Sequence, residues 1–436
     1  MKLKGQLMKK SRSLLAAAAI AVLVAGCASN TEPTDSTQGP LSGEITVWSW
    51  DVAAAGLTRI AADFEAQNEG TKINVVDVGY DNAYDKISVG LSAGSGLADL
   101  ITVETEVLPG YIEAFPGSFV DVSGMLGDEV QNFDPSKIGA GSDSTGALFA
   151  IPWDSGTTAL YVRTDYASEA GVDTSTIVTW DDFLAMSEKV YAATGKTAFD
   201  TDLSTGAMFL QMMQQQGAGM FDASGKIAVN SAEGVAALKL LQAFNKKGLI
   251  NNVVGWDERV SSAVNGVSAF SPNAVWWSGT LKGDAPDLSG KWKIQPLPAF
   301  KAGGARASNN GGSNLVIPTQ SKNPDLAFAF AKFALANVDN QNSMSFTEGL
   351  FPSYLPALSD AKYSEPDEYF GGQAAMSVFA ELTAEIPPTF FTGDYAKASE
   401  IVANATIAAI LNGDDAQTAL DKAAEEIALA TGRDIS

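Results

Sequence analysis

Histidine is absent from this chain and cysteine occurs once, at Cys27. Ser-His-Asp and Cys-His catalysis, imidazole general bases and His-ligated zinc are therefore closed to it. Carboxylates, Lys, Tyr, Ser and Thr remain. The adjacent acids Asp181-Asp182 and Glu425-Glu426 read as surface or capping residues, because neighbours on a helix do not face each other. No catalytic residue, metal site or cofactor is expected. A different pattern recurs instead, an aromatic ring directly ahead of an acid where an extended run stops: Trp50-Asp51, Tyr80-Asp81 and Trp153-Asp154. Glu104 follows another such run, and Trp276-Trp277 is an adjacent indole pair. Asn310-Gly311-Gly312 is a loop whose backbone can approach a partner closely, since glycine lacks Cβ. Phe351 and Tyr354 lie in a second loop after Gly349 that also carries Pro352 and Pro356.

These residues need elements to hold them. Glu44–Trp50 alternates as a strand, and Leu57, Ile60, Ala61 and Phe64 then keep helical spacing. A second strand (Ile73–Val78), a second helix (Asp85–Ala93) and an apolar third strand (Ala98–Val103) follow. That alternation predicts an α/β lobe with right-handed crossovers. Beyond Ala147 come a strand at Thr158–Arg163 and a helix opened by Thr179. Helices are expected near 203–216 and 231–247, and returning strands at 266–270 and 292–295. A strand at 314–317, a helix begun by Asn323-Pro324 and two alanine-rich helices over 394–430 complete the chain.

The chain has 436 residues, 46% hydrophobic and 18% charged, so it is globular and large enough for two lobes. Its formal charge is −23; removing the five basic residues ahead of Cys27 leaves −28. Nucleic acid is excluded as a partner, since binding it requires a basic footprint. Lys2, Lys4, Lys9, Lys10 and Arg12 precede the apolar run Leu14–Ala25, the plan of a secretory signal over 1–26, with Met1 or Met8 as its start. The order Val24-Ala25-Gly26-Cys27 resembles the bacterial lipoprotein box, which implies lipidation of Cys27 and an extracytoplasmic protein anchored to the cell membrane. Residues 27–42 are small and polar, a flexible linker.

Four segments, in order, resemble the extracellular solute-binding proteins (family 1) of ABC transporters that capture sugars and oligosaccharides. They are Phe149-Ala150-Ile151-Pro152-Trp153, Leu160–Asp165, Thr179–Phe183, and Gly311–Pro318 leading into Ser321-Lys322-Asn323-Pro324. The resemblance spans 44 to about 430. One departure is Ala274, where the family often has glycine two residues before a tryptophan, and Trp277 doubles the indole. No phosphate-cradling Gly-Lys-Ser/Thr motif marks an ATPase, and no run is long enough for a permease.

The resemblance implies a two-lobe periplasmic-binding-protein-like α/β fold with crossing hinge strands and a ligand cleft between the lobes. The expected lobes are 43–155 with 275–345, and 156–274 with 346–436. A pyranose offers an apolar face and a rim of hydroxyls, which suit aromatic rings and charge-assisted hydrogen bonds. The expected ligand contacts are accordingly Trp50, Asp51, Tyr80, Glu104, Trp153, Asp154, Trp276, Trp277, Asn310, Gly311, Gly312, Phe351 and Tyr354. The implied partners are a di- or oligosaccharide, the permease subunits of the transporter and the membrane, with the protein itself monomeric. Two rivals stand beside this reading: a secreted glycosidase working through two carboxylates, and a receptor for a non-sugar such as a polyamine or peptide.

Overall fold

The computed structural model describes residues 41–436; the signal segment, Cys27 and nearly all of the 27–42 linker lie outside them. Strands β1 (Gly43–Ser49), β2 (Thr71–Asp77) and β3 (Leu100–Glu104) are joined by helices α1 (Asp51–Gln67) and α2 (Tyr80–Ala93), and α3 (Leu108–Ala114) follows β3. β1 pairs in parallel with both β2 and β3. The chain then makes the short β4 (Ile151–Pro152) and β5 (Asp154–Ser155) before entering the second lobe through β6 (Thr158–Arg163). There β7 (Phe199–Thr201) pairs with β8 (Ile250–Asn252), and β9 (Phe270–Ala274) and β10 (Trp292–Gln295) flank β6 antiparallel. β11 (Ser313–Val316) returns to the first sheet, whose order is β2-β1-β3-β11-β4, and β12 (Phe351–Pro352) pairs with β5.

Both lobes form because their strands bury apolar runs against amphipathic helices. In the first lobe Ile45, Val47, Leu57, Phe64, Leu315 and Phe330 share one core. In the second, Phe183, Phe199, Phe244 and Phe270 meet ring to ring, with centroids 5.0–6.3 Å apart. The helix Trp180–Thr194 opens on a capping box, as its sequence predicts: Asp182 N donates to Thr179 Oγ1 (3.2 Å) and Thr179 N to Asp182 Oδ2 (2.8 Å).

The division of the chain between lobes differs from the expectation. Residues 275–306 do not return to the first lobe, because β10 pairs with β6 and buries Trp292 and Ile294 beside Tyr161. The return to the first lobe, expected at 275, falls instead at 307–312, just ahead of β11. After β12 the chain lingers on the first lobe, where Tyr354 and Ala357 join its core, so the second lobe resumes only beyond residue 359. One anticipated strand is shifted: β9 begins at Phe270, where the 266–270 run was expected to end.

Three crossing segments thus run side by side at the waist. Ser155 pairs with Phe351, and Thr157 with Asn309. Gly156 N donates to Asn309 Oδ1 (3.0 Å), and Asn310 N donates to Gly156 O (2.8 Å). A Cβ at Gly156 would stand 2.0 Å from Asn310 O and 2.6 Å from its carbonyl carbon. Backbone cannot yield as a side chain does, so Gly156→Ala is expected to cost about 2 kcal/mol of stability, read from denaturant unfolding. A loss below a few tenths of a kcal/mol would mean that the crossing strands slide apart freely.

Candidate ligand cleft

Beside this waist lies a cavity of about 160 Å³ walled by both lobes. Its first-lobe side begins at the β1–α1 junction, where Trp50 and Asp51 both reach the wall. Asp51 sits at φ 52°, the sole non-glycine residue with positive φ among the described residues. Such backbone is tolerated by Asp better than by most residues, and it concentrates at functional sites. Tyr80 and Asp81 enter from the start of α2, and Glu104 from the end of β3. The Tyr80 and Tyr84 hydroxyls both donate to Glu104 Oε2, and Trp50 packs against both phenol rings at 5.7 and 5.8 Å. Burial raises the Glu104 pKa; the two phenol bonds pull it down, Asp154 pushes it up, and Lys137 works against the rise.

From the second lobe come Asp200 and Asp202, Gln211, Trp256, Arg259 and Trp276. Trp276 is half-buried, donates Nε1–H to Asn310 O (3.0 Å) and meets the Trp256 ring at 5.7 Å. The lobes touch across the cleft, since Trp256 N donates to Asp81 Oδ2 (3.3 Å). The Arg259 side chain makes neither a hydrogen bond nor an ion pair among the described residues, so its donors are open to a ligand. Its guanidinium lies 5.6 Å from the Trp277 ring centroid.

Beneath the wall a buried cluster holds the loop between the lobes. Lys137, 5% exposed, donates Nζ–H to Thr105 Oγ1 (2.8 Å) and Ser313 O (3.4 Å). Ser313 N donates to Asp154 Oδ1 (2.7 Å), and Thr105 Oγ1 to Gly312 O (2.8 Å). Burial depresses the lysine pKa, while Asp154, Glu106, Asp134 and Glu104 hold it up.

Eight of the thirteen expected contacts line this cavity: Trp50, Asp51, Tyr80, Glu104, Asp154, Trp276, Asn310 and Gly312. Asp154 is 2% exposed and spends Oδ1 on Ser313, so it positions the loop as well as walling the cleft. Gly311 faces an adjoining cavity. The two glycines are needed for close approach to protein rather than ligand: a Cβ at Gly312 would meet Lys137 Nζ at 2.8 Å, and one at Gly311 would meet Glu104 Oε1 at 3.0 Å.

Four expected contacts are core residues. Trp153, 0% exposed, is the single residue between β4 and β5 and packs into the first-lobe core, whereas its neighbour Asp154 lines the cleft, since successive residues of extended chain point to opposite sides. Trp277 is the first residue of the helix Trp277–Asp284 and is buried in the second-lobe core, its ring edge-on to Trp276 at 6.4 Å. Phe351 packs edge-on to Tyr363 at 5.7 Å. Tyr354 packs on Phe133 at 5.1 Å and donates its hydroxyl to Glu129 Oε2 (3.0 Å). Sequence reasoning missed Asp200, Asp202, Gln211, Trp256 and Arg259. Two signals were available: Asp200 and Asp202 stand on and just past the end of a short strand, where side chains can reach a crevice, and Trp256 and Arg259 at i, i+3 share a helix face.

The carboxyls of the cleft give it a pH response. Burial, then Asp284 and Asp77, raise the Asp51 pKa to about 7, against a pull downwards from the Trp256 side chain. Burial and then Glu104 raise Glu106 to about 8. A carboxyl whose folded pKa exceeds its unfolded value stabilises the fold through its protonated form. That contribution is complete below about pH 4 and is lost as pH climbs through 7 to 8. The melting temperature of ligand-free protein should therefore fall between about pH 6 and pH 8.5, and Asp51→Asn with Glu106→Gln should flatten the profile. A ligand-free profile that rises over this range would contradict the assignment.

Residues 49–341 match the family described as bacterial extracellular solute-binding protein. The chain belongs to that family. As a solute-binding protein it is 28% identical over 421 residues to the arabinooligosaccharide-binding protein of Bacillus subtilis, covering 94% of this chain and 96% of the relative. It is also 28% identical to the lactose-binding protein of Rhizobium radiobacter, covering 85% and 89%. Among solved structures, the ABC-transporter-associated binding protein of B. animalis subsp. lactis Bl-04 in complex with β-1,6-galactobiose superposes with a TM-score of 0.80. It is 25% identical, over 91% of this chain and 100% of the other. Maltose-bound MalE3 of T. maritima shares the fold at a TM-score of 0.75 and 20% identity, over 89% and 99%. The two-lobe α/β architecture expected from the sequence is the architecture of these binding proteins.

Proposed function

We propose that this protein captures a di- or oligosaccharide outside the cell membrane, tethered there through a lipid on Cys27, and delivers it to the permease subunits of an ABC transporter. The observation that carries this reading is the meeting, in one interlobe cavity, of half-buried Trp276, an Arg259 side chain free of hydrogen bonds and ion pairs among the described residues, and a rim of carboxylates. An indole offers its face to the apolar side of a sugar ring, and the guanidinium and carboxylates bond its hydroxyls. The named ligands of the relatives, arabinooligosaccharide, lactose and β-1,6-galactobiose, are of the same class. Ligand stabilises the closed pair of lobes by bridging Trp50 and Glu104 on one side and Trp276 and Arg259 on the other.

A second reading draws on charge. Six carboxylates line the cavity against the single guanidinium of Arg259, which suits a polyamine. Thermal shift with arabino- and galacto-oligosaccharides, lactose, maltose and spermidine separates the two, since a bound ligand raises the melting temperature by mass action. The carbohydrate reading expects sugars alone to shift it; a shift by spermidine alone would replace it. Product analysis of the same sugars after prolonged incubation is expected to recover them intact, and turnover would make the protein an enzyme.

A further inference from the structure

A second chamber opens off the cleft and is the larger, about 430 Å³. The two chambers share a wall that includes Tyr80, Glu104, Thr205, Gln211 and Asn310. Tyr84, Glu106 and Tyr111 bound the second chamber from the first lobe, and Phe391 and Tyr395 bound it from the other. Phe391 and Tyr395 meet edge to face at 5.5 Å. Small-molecule sites occupy about 300–1,000 Å³. The first chamber alone falls short of that range and the second lies inside it.

The shared wall contains an unmet donor. Gln211 is 5% exposed and lines both chambers, yet its Nε2 has no hydrogen-bond partner. Leaving a buried amide donor unsatisfied is costly, and a ligand oxygen lying across the wall would remove that cost. Glu106 keeps its proton near neutral pH, so beside a hydroxyl it can both donate and accept.

The far end of the chamber is closed by residues 385–394, which link the helix Ala375–Thr383 to the helix Tyr395–Asn412. This segment is anchored on the second lobe: Gln214 Nε2 donates to Pro387 O (3.4 Å), Phe390 bridges to Phe221, and Arg433 pairs with Asp394 at 2.5 Å. Pro387-Pro388 stiffens it by fixing φ. Its end reaches the first lobe, where a Cβ at Gly110 would come within 3.1 Å of Gly393 O. Phe391 also lines two further cavities beyond the segment, so its ring stands between the second chamber and open space.

The geometry points to a division of labour that rests on the carbohydrate reading above: one sugar ring occupies the first chamber, at least one more occupies the second, and the 385–394 segment is the end wall that limits chain length. The wild type, Tyr395→Ala and Phe391→Ala are titrated calorimetrically with galacto- and arabino-oligosaccharides of about one to six units. Wild-type affinity is expected to rise at least tenfold from one unit to two or three and then level off or fall. Tyr395→Ala should abolish that rise while leaving monosaccharide affinity unchanged, which also reports intact folding. Phe391→Ala should move the plateau to longer chains. Length-independent binding by the wild type, equal losses at every length in Tyr395→Ala, or an unmoved plateau in Phe391→Ala would each overturn the second chamber's role. Absence of binding by any sugar at any length would instead overturn the carbohydrate reading itself.

Discussion

Trp276→Ala is expected to weaken oligosaccharide binding at least 30-fold, about 2 kcal/mol, the loss typical of a buried aromatic anchor. The indole stands half-buried on the second-lobe wall, fixed at its nitrogen and braced by the Trp256 indole. The Nε1–H bond to Asn310 O holds the ring plane in register with the crossing loop, so the surface offered to a ligand is ordered before the ligand arrives. Trp276→Phe keeps a ring and loses that bond, and should fall between alanine and the wild type. Trp277→Phe, within the neighbouring core, should lower the melting temperature and leave affinity within about threefold. Calorimetric titration of the three variants decides the matter. If Trp276→Ala binds as well as the parent, the indole is only packing.

Lys137→Met should be the most destabilising single change in the cleft, at about 3 kcal/mol. Removing one member of a buried charge cluster leaves the others unpaired, and such removals typically cost 3–5 kcal/mol. Lys137 opposes Asp154 first, then Glu106, Asp134 and Glu104, and its Nζ–H bonds hold Thr105 and Ser313 against the Gly312 turn. Asp154 already has a pKa raised by burial, with Lys137 the leading influence restraining the rise. Without the lysine the carboxyl should take up a proton at higher pH, so the stability deficit of Lys137→Met should shrink as pH falls. Adding Asp154→Asn should restore part of the loss, because the stranded charge goes with it. Unfolding free energies of the single and double variants at about pH 5 and pH 8 test both statements. A deficit that is constant with pH and unrelieved by the second substitution would assign the lysine a packing role.

Local pattern carried much of this protein. The alternation of β1 and the helical spacing of Leu57, Ile60 and Phe64 are statements about neighbours along the chain, and such periodicities survive folding. The capping box at Thr179 and Asp182 is decided within four residues. The same locality explains why Trp50, Asp51, Tyr80 and Glu104 were found: each stands where a strand or helix begins or ends, and the carboxyl ends of strands in α/β lobes face the ligand crevice.

The failures have one cause as well. Trp153 and Asp154 are adjacent, and so are Trp276 and Trp277, but adjacency along a strand or helix sends side chains in different directions. Which member of each pair meets the cleft depends on how the element is rotated against its core. That rotation is settled by packing partners more than a hundred residues away, as with Trp153, which shares one core with Leu315 and Met344. Lys137 gave no local signal, since a lysine in a short helix is ordinarily solvated, and its burial follows from Ser313 and Gly312 closing over it. The lobe boundary at 307–312 was likewise invisible, because β10 joins the second lobe through pairing with β6 across more than a hundred residues.

From its own residues, then, the chain determined its layered α/β elements, its unfitness for histidine or thiol chemistry and the strand-end acids and rings available to a solute. Only the tertiary structure decided which of those rings are accessible, that a buried lysine organises the loop between the lobes, and that two chambers share the wall at Gln211. The reason is physical: periodicity is written by contacts within a few residues, whereas a cleft exists only where surfaces distant in the chain are brought face to face.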